Sequence, residues 1–199
     1  MPSEVPATPP GSCVAALFAA MQARDPATGR HSGRVAALSA ALAKALGLPE
    51  NEQEIVAIAA RLHDLGKIGT PDRVLFSPSR LGPEDWAIMK AHAAAGADII
   101  LCSAIPQREQ IALAVRHHHE HFDGSGYPAG LAGHHIPLHA RIISLADSYD
   151  ALGDVRPYHP ARPHVEIMRI LHREAGAKCD PDLLRAFERM IEDSPLRVP

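Results

Sequence analysis
Apolar residues return every three or four positions along most of this chain, the spacing of helices that each bury one stripe. Residues 13–21 (CVAALFAAM) open the series as a first helix. Residues 35–48 (VAALSAALAKALGL) form the next, and Gly47 with Pro49 beyond it is a stop signal. Residues 51–63 (NEQEIVAIAARLH) follow, with Asn51 as the expected N-cap. A loop from Gly66 to Pro83, carrying Pro71, Pro78 and Gly82, leads into one long helix over residues 84–102. Further helices are expected over 108–118, 140–152, 164–175 and 181–192, completing an all-α bundle. Residues 123–138 (DGSGYPAGLAGHHIPL) hold too much Gly and Pro for a helix and read as a shaped loop. Residues 1–11 have the Pro-rich, polar composition of a disordered tail, 12–192 form one domain without internal repeats, and 193–199 form a short C-terminal tail.

Composition sharpens this picture in three respects. Only 4% of the residues are aromatic and alanine and leucine abound, which favours helix over strand. A net charge of -3 gives no basic face for a DNA or RNA duplex or for a membrane surface. Cys13, Cys102 and Cys179 are scattered without a CxxC pair, which suits a reducing cytoplasm rather than a disulfide framework. The stretch 13–21 lacks the basic segment that precedes a signal-peptide core, and no apolar run approaches the ~20 residues of a spanning helix. A cytoplasmic location is expected.

The thirteen histidines carry the candidate chemistry. His63 and Asp64 open HDLGK; on a regular helix they would point about 100° apart, but at a helix end both can address one centre. Lys67 is placed to meet a phosphate oxygen or to pair with Asp64 three residues before it. His117, His118 and His119 cannot all face one point from a helix, so two converge where the helix breaks. His92 lies on an apolar helical face, as a ligand or as a satisfied buried histidine. Asp147 and Asp150 share a face at i, i+3 among apolar neighbours, where buried carboxylates need a metal or an ion pair to Arg141 or Arg156. Imidazole with carboxylate suits divalent Fe, Mn, Ni or Zn, and clusters this rich commonly hydrolyse phosphate esters.

Taken in order, ARDPATGRHSGRV, HDLGKIGTPD, MKAHAAAGADII, the run from His118 to Ile142, ADSYDAL and RPY resemble the HD-GYP family of HD-domain metal-dependent phosphohydrolases, from about Arg24 to Phe187. The resemblance implies an HD-domain-type helical bundle with a Gly/Pro-rich loop at Gly126, Tyr127 and Pro128. It implies a cyclic di-GMP phosphodiesterase of bacterial signalling that gives pGpG, GMP or both. The metal ligands it nominates are His31, His63, Asp64, His92, His118, His119 and Asp147, with Asp64 bridging two divalent ions, Fe or Mn first, then Ni or Zn. Asp64 and Lys67 would serve catalysis, with the leaving-group acid open between Lys67 and a water. Substrate would meet Lys67, Arg156, His159 and the Gly126-Tyr127-Pro128 loop. A diguanylate cyclase is the kind of signalling partner implied, and the apolar faces of the terminal helices suit a homodimer.

Two departures from the family pattern bear on this reading. Ala27 stands where some members carry a carboxylate for a third metal, so two metals are expected. His159 stands where Lys or Arg often follows RPY, which would make substrate binding weaker or pH-dependent. The alternatives are an enzyme acting on another cyclic dinucleotide, and a non-catalytic sensor of cyclic di-GMP. About a dozen residues precede the first helix, so the chain is read as a stand-alone enzyme or a fragment of a longer protein.

Overall fold
In the computed structural model, which describes residues 10–154 and 161–199, α1 (Pro10–Arg24) leads at once into α2 (Pro26–Ala45). Asp25 makes that junction. Its extended backbone and its carboxylate, which accepts from the Ala27 N–H at 2.9 Å and the Thr28 hydroxyl at 2.6 Å, cap a helix begun by Pro26. The helix expected from residue 35 therefore starts nine residues earlier, and Gly47, at a φ of 71°, ends it as anticipated. α3 (Glu50–Leu62) starts before the expected cap: Pro49 is the N-cap and its carbonyl takes the N–H groups of Glu52 and Gln53, so Asn51 lies inside the first turn.

The expected loop over 66–83 contains a 3-10 turn at Leu65–Gly69 and a single helical turn, α4 (Asp72–Leu75). The long helix expected over 84–102 is two, α5 (Pro83–Lys90) and α6 (His92–Leu101), broken at Ala91. α7 (Arg108–His117) follows, then the Gly/Pro-rich loop, whose only helical piece is a 3-10 turn at Gly133–His135. α8 (Leu138–Gly153), α9 (His164–Glu174) and α10 (Pro181–Ile191) complete the chain. No strand occurs among the described residues.

α2 lies against α3 and α8, and α6 against α7, around one apolar core. Leu42, Ile55, Ile111, Ile142 and Phe187 are wholly buried in it. Full burial of such a side chain stabilises by about 1.5–3 kcal/mol, so this core fixes the helix ends that build the site. Tyr149 sits at its base: the ring packs 5.0 Å from that of Phe187, and the hydroxyl meets His164 Nδ1 at 2.9 Å and accepts from the Val198 N–H at 3.2 Å. Leu196 and Val198 pack on the same core, so the expected C-terminal tail is bound to the domain. Of the expected N-terminal tail, Pro10 and Gly11 belong to α1 and residues 1–9 lie outside the described residues.

Candidate metal centre
Three helices end at one point, and each delivers a histidine there. His63 caps the C-terminus of α3, His92 follows the last turn of α5, and His118 caps α7. Each ring turns back on its own helix. Nδ1 donates to the carbonyl three residues earlier: His63 to Ala60 at 2.7 Å, His92 to Met89 at 2.7 Å and His118 to Val115 at 2.6 Å. Last-turn carbonyls lack helical partners, so this bond satisfies an acceptor and locks a ring together. At the break at Ala91, the His92 ring bonds the Met89 carbonyl of the last turn of α5.

A carbonyl only accepts, so Nδ1 carries the proton and Nε2 keeps its lone pair. The Nε2 atoms of His63, His92 and His118 are buried and have no hydrogen-bond partner among the described residues. Burial first, and neighbouring histidine charge after it, hold His118 well below the usual imidazole range. Burial likewise lowers His92, and pushes His119 down to about 3. Buried imidazoles with Nε2 turned inward, at the C-terminal ends of three helices, have the chemistry of a cation site.

Asp64 lies between two groups of such atoms. His31, His63 and Asp64 each offer a ligand atom within 4.8 Å of the others, and so do His92, His118 and His119. One oxygen of Asp64 is 3.5 Å from His63 Nε2 and the other 3.4 Å from His92 Nε2. Burial opposes its ionisation, yet the charges of Lys67, His63, His92 and His31 outweigh burial and hold it well below the carboxylate range. Lys67 pairs with Asp64 at 2.6 Å, as one of its two expected roles has it, and it also lines the cleft.

α8 closes the far side. Asp147 is 3.0 Å from His31 Nε2, and Asp150 meets His31 Nδ1 at 2.7 Å. Burial lowers the pKa of His31, but these two carboxylates outweigh it and raise it to about 9. Arg34 in turn grips Asp150, at 2.7 Å through Nε and 2.9 Å through Nη2. Asp150 thus orients His31, as outer carboxylates orient metal-bound imidazoles. Neither Asp147 nor Asp150 uses Arg141, which pairs with Asp180 on α10.

Of the three consecutive histidines, His117 turns aside to Glu120 at 3.2 Å, while His118 and His119 face inward with ring centroids 3.9 Å apart. Glu120 escaped the sequence reading. Its buried carboxylate accepts from the N–H groups of Ala129 (2.8 Å) and Leu131 (3.2 Å), tying the Gly/Pro-rich loop beside the histidine pair. Gly126 completes that junction: a Cβ there would lie 2.2 Å from the His121 nitrogen and 2.5 Å from the His119 carbonyl oxygen. Its neighbour Tyr127 consequently stacks on His119, with ring centroids 4.8 Å apart.

All seven nominated histidines and aspartates thus meet in one cluster, five of them (His31, Asp64, His92, His119 and Asp147) forming the floor of a cleft of about 840 Å³. Asp25 and Ala27 also line it, and the carboxylate of Asp25 caps α2. Arg156 and His159 lie outside the described residues.

The family model described as "HD domain" matches residues 16–183. A protein named "Cyclic di-GMP phosphodiesterase" from Thermotoga maritima is 40% identical over 170 residues, covering 85% of this chain and 46% of that protein. A Vibrio cholerae protein named "3'3'-cGAMP-specific phosphodiesterase 2" is 38% identical over 168 residues, covering 84% of this chain and 32% of that protein. This chain thus spans less than half the length of either relative. Among solved structures, a cyclic GMP-AMP specific phosphodiesterase of V. cholerae superposes with a TM-score of 0.69 at 20% identity, covering 92% of this chain and 49% of that one. That likeness supports the helical fold.

Proposed function
Because this chain belongs to the HD-domain family and carries the sequence signature of its HD-GYP branch, we propose that it is a metal-dependent phosphodiesterase that hydrolyses cyclic di-GMP. One observation carries the reading: among the described residues, three buried imidazole Nε2 atoms lack partners beneath an open cleft, two of them within 3.5 Å of Asp64. Unpaired buried polar atoms are costly, and divalent cations bound by imidazole and carboxylate remove that cost.

His31, His63, Asp64, His92, His118, His119 and Asp147 would hold two ions. Fe or Mn is proposed, with Ni and Zn as alternatives. When bound, such a pair supplies Lewis acidity and a water made nucleophilic near neutral pH. The chain's own groups do the rest. The inward-turned imidazoles and the ionised Asp64 and Asp147 make up the donor set. Asp150 and Arg34 hold the His31 ring in its orientation. Lys67 places an ammonium at the cleft floor, where it offsets charge on a phosphate oxygen. Burial, then the charges of Asp64 and Asp147, raise the Tyr127 phenol above its ordinary range, so its hydroxyl serves as a hydrogen-bond donor at the cleft wall. No helix among the described residues is long and apolar enough to cross a membrane, which accords with action on a second messenger in the cytoplasm.

The test is incubation of the purified protein with Mn(II) or Fe(II) and cyclic di-GMP, with chromatographic separation of pGpG and GMP. Turnover that EDTA abolishes is expected. Full metal occupancy without turnover would overturn the proposal in favour of a sensor. The V. cholerae relative named for cGAMP gives a specific reason to run 3'3'-cGAMP in parallel. Faster cleavage of that compound would move the substrate assignment while keeping the chemistry.

A further inference from the structure
We infer that Trp86 and Tyr127 form a platform at the outer wall of the cleft on which one purine base of the substrate stacks. The inference rests on the nucleotide reading above and adds the part of the site that holds the base. Trp86 is the only tryptophan of the chain. It lies on α5, a helix none of whose residues is buried, and is itself 46% exposed. A half-exposed tryptophan alone is ordinary. This one lines the same cleft as Asp64, His119 and Lys67, and its ring stands edge-to-face with Tyr127 at a centroid distance of 6.4 Å.

The order of the rings gives the platform its meaning. Tyr127 stacks on His119 of the proposed metal cluster, and Trp86 lies beyond Tyr127. Moving outward from the cluster, the cleft passes from charged ligands to a phenol and then to an indole. A nucleotide bound through its phosphate runs the same way, from anion through ribose to an apolar-faced base. In an edge-to-face pair, the ring that contributes its edge keeps both faces clear of its partner, and a base can lie on such a face. Leu75, Leu81 and Met89 continue the wall. They offer nothing to a phosphate or a sugar hydroxyl and suit the face of a purine. The Arg73–Asp85 ion pair joins α4 to α5, the helix that carries the indole.

Trp86→Ala and Trp86→Phe test this with two substrates, cyclic di-GMP and bis(p-nitrophenyl) phosphate, which has a scissile diester but no base. Losing one base–aromatic stack corresponds to a factor between about 5 and about 150. The ratio of kcat/KM for cyclic di-GMP to that for the nitrophenyl diester should fall by that factor in Trp86→Ala, chiefly through KM. Trp86→Phe should recover most of it. An unchanged ratio overturns the platform, because misfolding or a damaged metal centre would lower both substrates together. The single indole provides a second readout that does not require turnover: GMP should quench wild-type fluorescence and ribose 5-phosphate should not. Equal responses to the two ligands, or none to GMP, would also overturn it. Failure of the wild type to cleave cyclic di-GMP would remove the substrate assignment, and the fluorescence pair would then decide the platform by itself.

Discussion

Replacing Gly66 by alanine should disable the site while leaving the helices formed. Gly66 sits in the 3-10 turn directly after Asp64, pressed against α6. A Cβ at this position would lie 2.0 Å from the His92 carbonyl oxygen, 2.6 Å from the Gly96 nitrogen and 2.8 Å from the His92 carbonyl carbon. All three are backbone atoms, so no side chain can swing aside. Moving the closest contact from 2.0 Å to the 3.4 Å of ordinary van der Waals approach requires a retreat of about 1.4 Å. That retreat separates Asp64 from His92, whose nearest atoms are 3.4 Å apart. Misplacing a reacting group by ~1 Å costs about 100-fold in rate, and overpacking costs roughly 1–3 kcal/mol of stability. Gly66→Ala should therefore lose about 100-fold or more in kcat/KM, bind less metal per chain, and unfold at lower denaturant with native helical circular dichroism in buffer. Gly69→Ala, where a Cβ meets nothing within 4 Å, is the control. Wild-type activity and metal content in Gly66→Ala would refute the argument that this contact sets the Asp64–His92 geometry.

Two other perturbations probe the His31 side. Asp150→Asn keeps the shape but weakens the grip on His31 Nδ1 and Arg34, so metal affinity or activity should fall about 10–100-fold, read by metal titration and kcat/KM. In metal-free protein, His31 is raised to about 9, above its unfolded value of about 6.5. A raised histidine contributes stability that is complete below the unfolded value and lost as pH rises through the folded one. Thermal melts of EDTA-treated protein should therefore fall between pH 6.5 and 9, and Asp150→Asn should flatten that decline; a parallel decline in both proteins would contradict the assignment to His31.

The helical periodicity and the histidine–aspartate motifs were legible because each is local: a stripe every three or four residues, or a pair such as His63-Asp64. What was illegible depends on partners distant in sequence. The helix expected over 84–102 is interrupted at Ala91, where the His92 ring turns back to the Met89 carbonyl, a contact that no spacing rule announces. Asp150 could be placed on the same face as Asp147, but its true partner, Arg34, lies 116 residues away, nearer the start of the chain, and no spacing rule links them. Glu120 was hidden within a histidine-rich run, although one acidic residue beside a Gly/Pro-rich loop is the type that satisfies loop amides. Trp86 reads from sequence as one apolar position of an amphipathic helix. Only the fold brings its ring beside Tyr127 of the Gly/Pro-rich loop.

Anomalous scattering from crystals of Mn- or Fe-loaded protein measures directly whether these side chains gather two cations on either side of Asp64. Two peaks are expected, one against His31, His63 and Asp147 and one against His92, His118 and His119, with the Asp64 carboxylate touching both. A fully loaded crystal with a single peak, or with metal away from these residues, would contradict this arrangement.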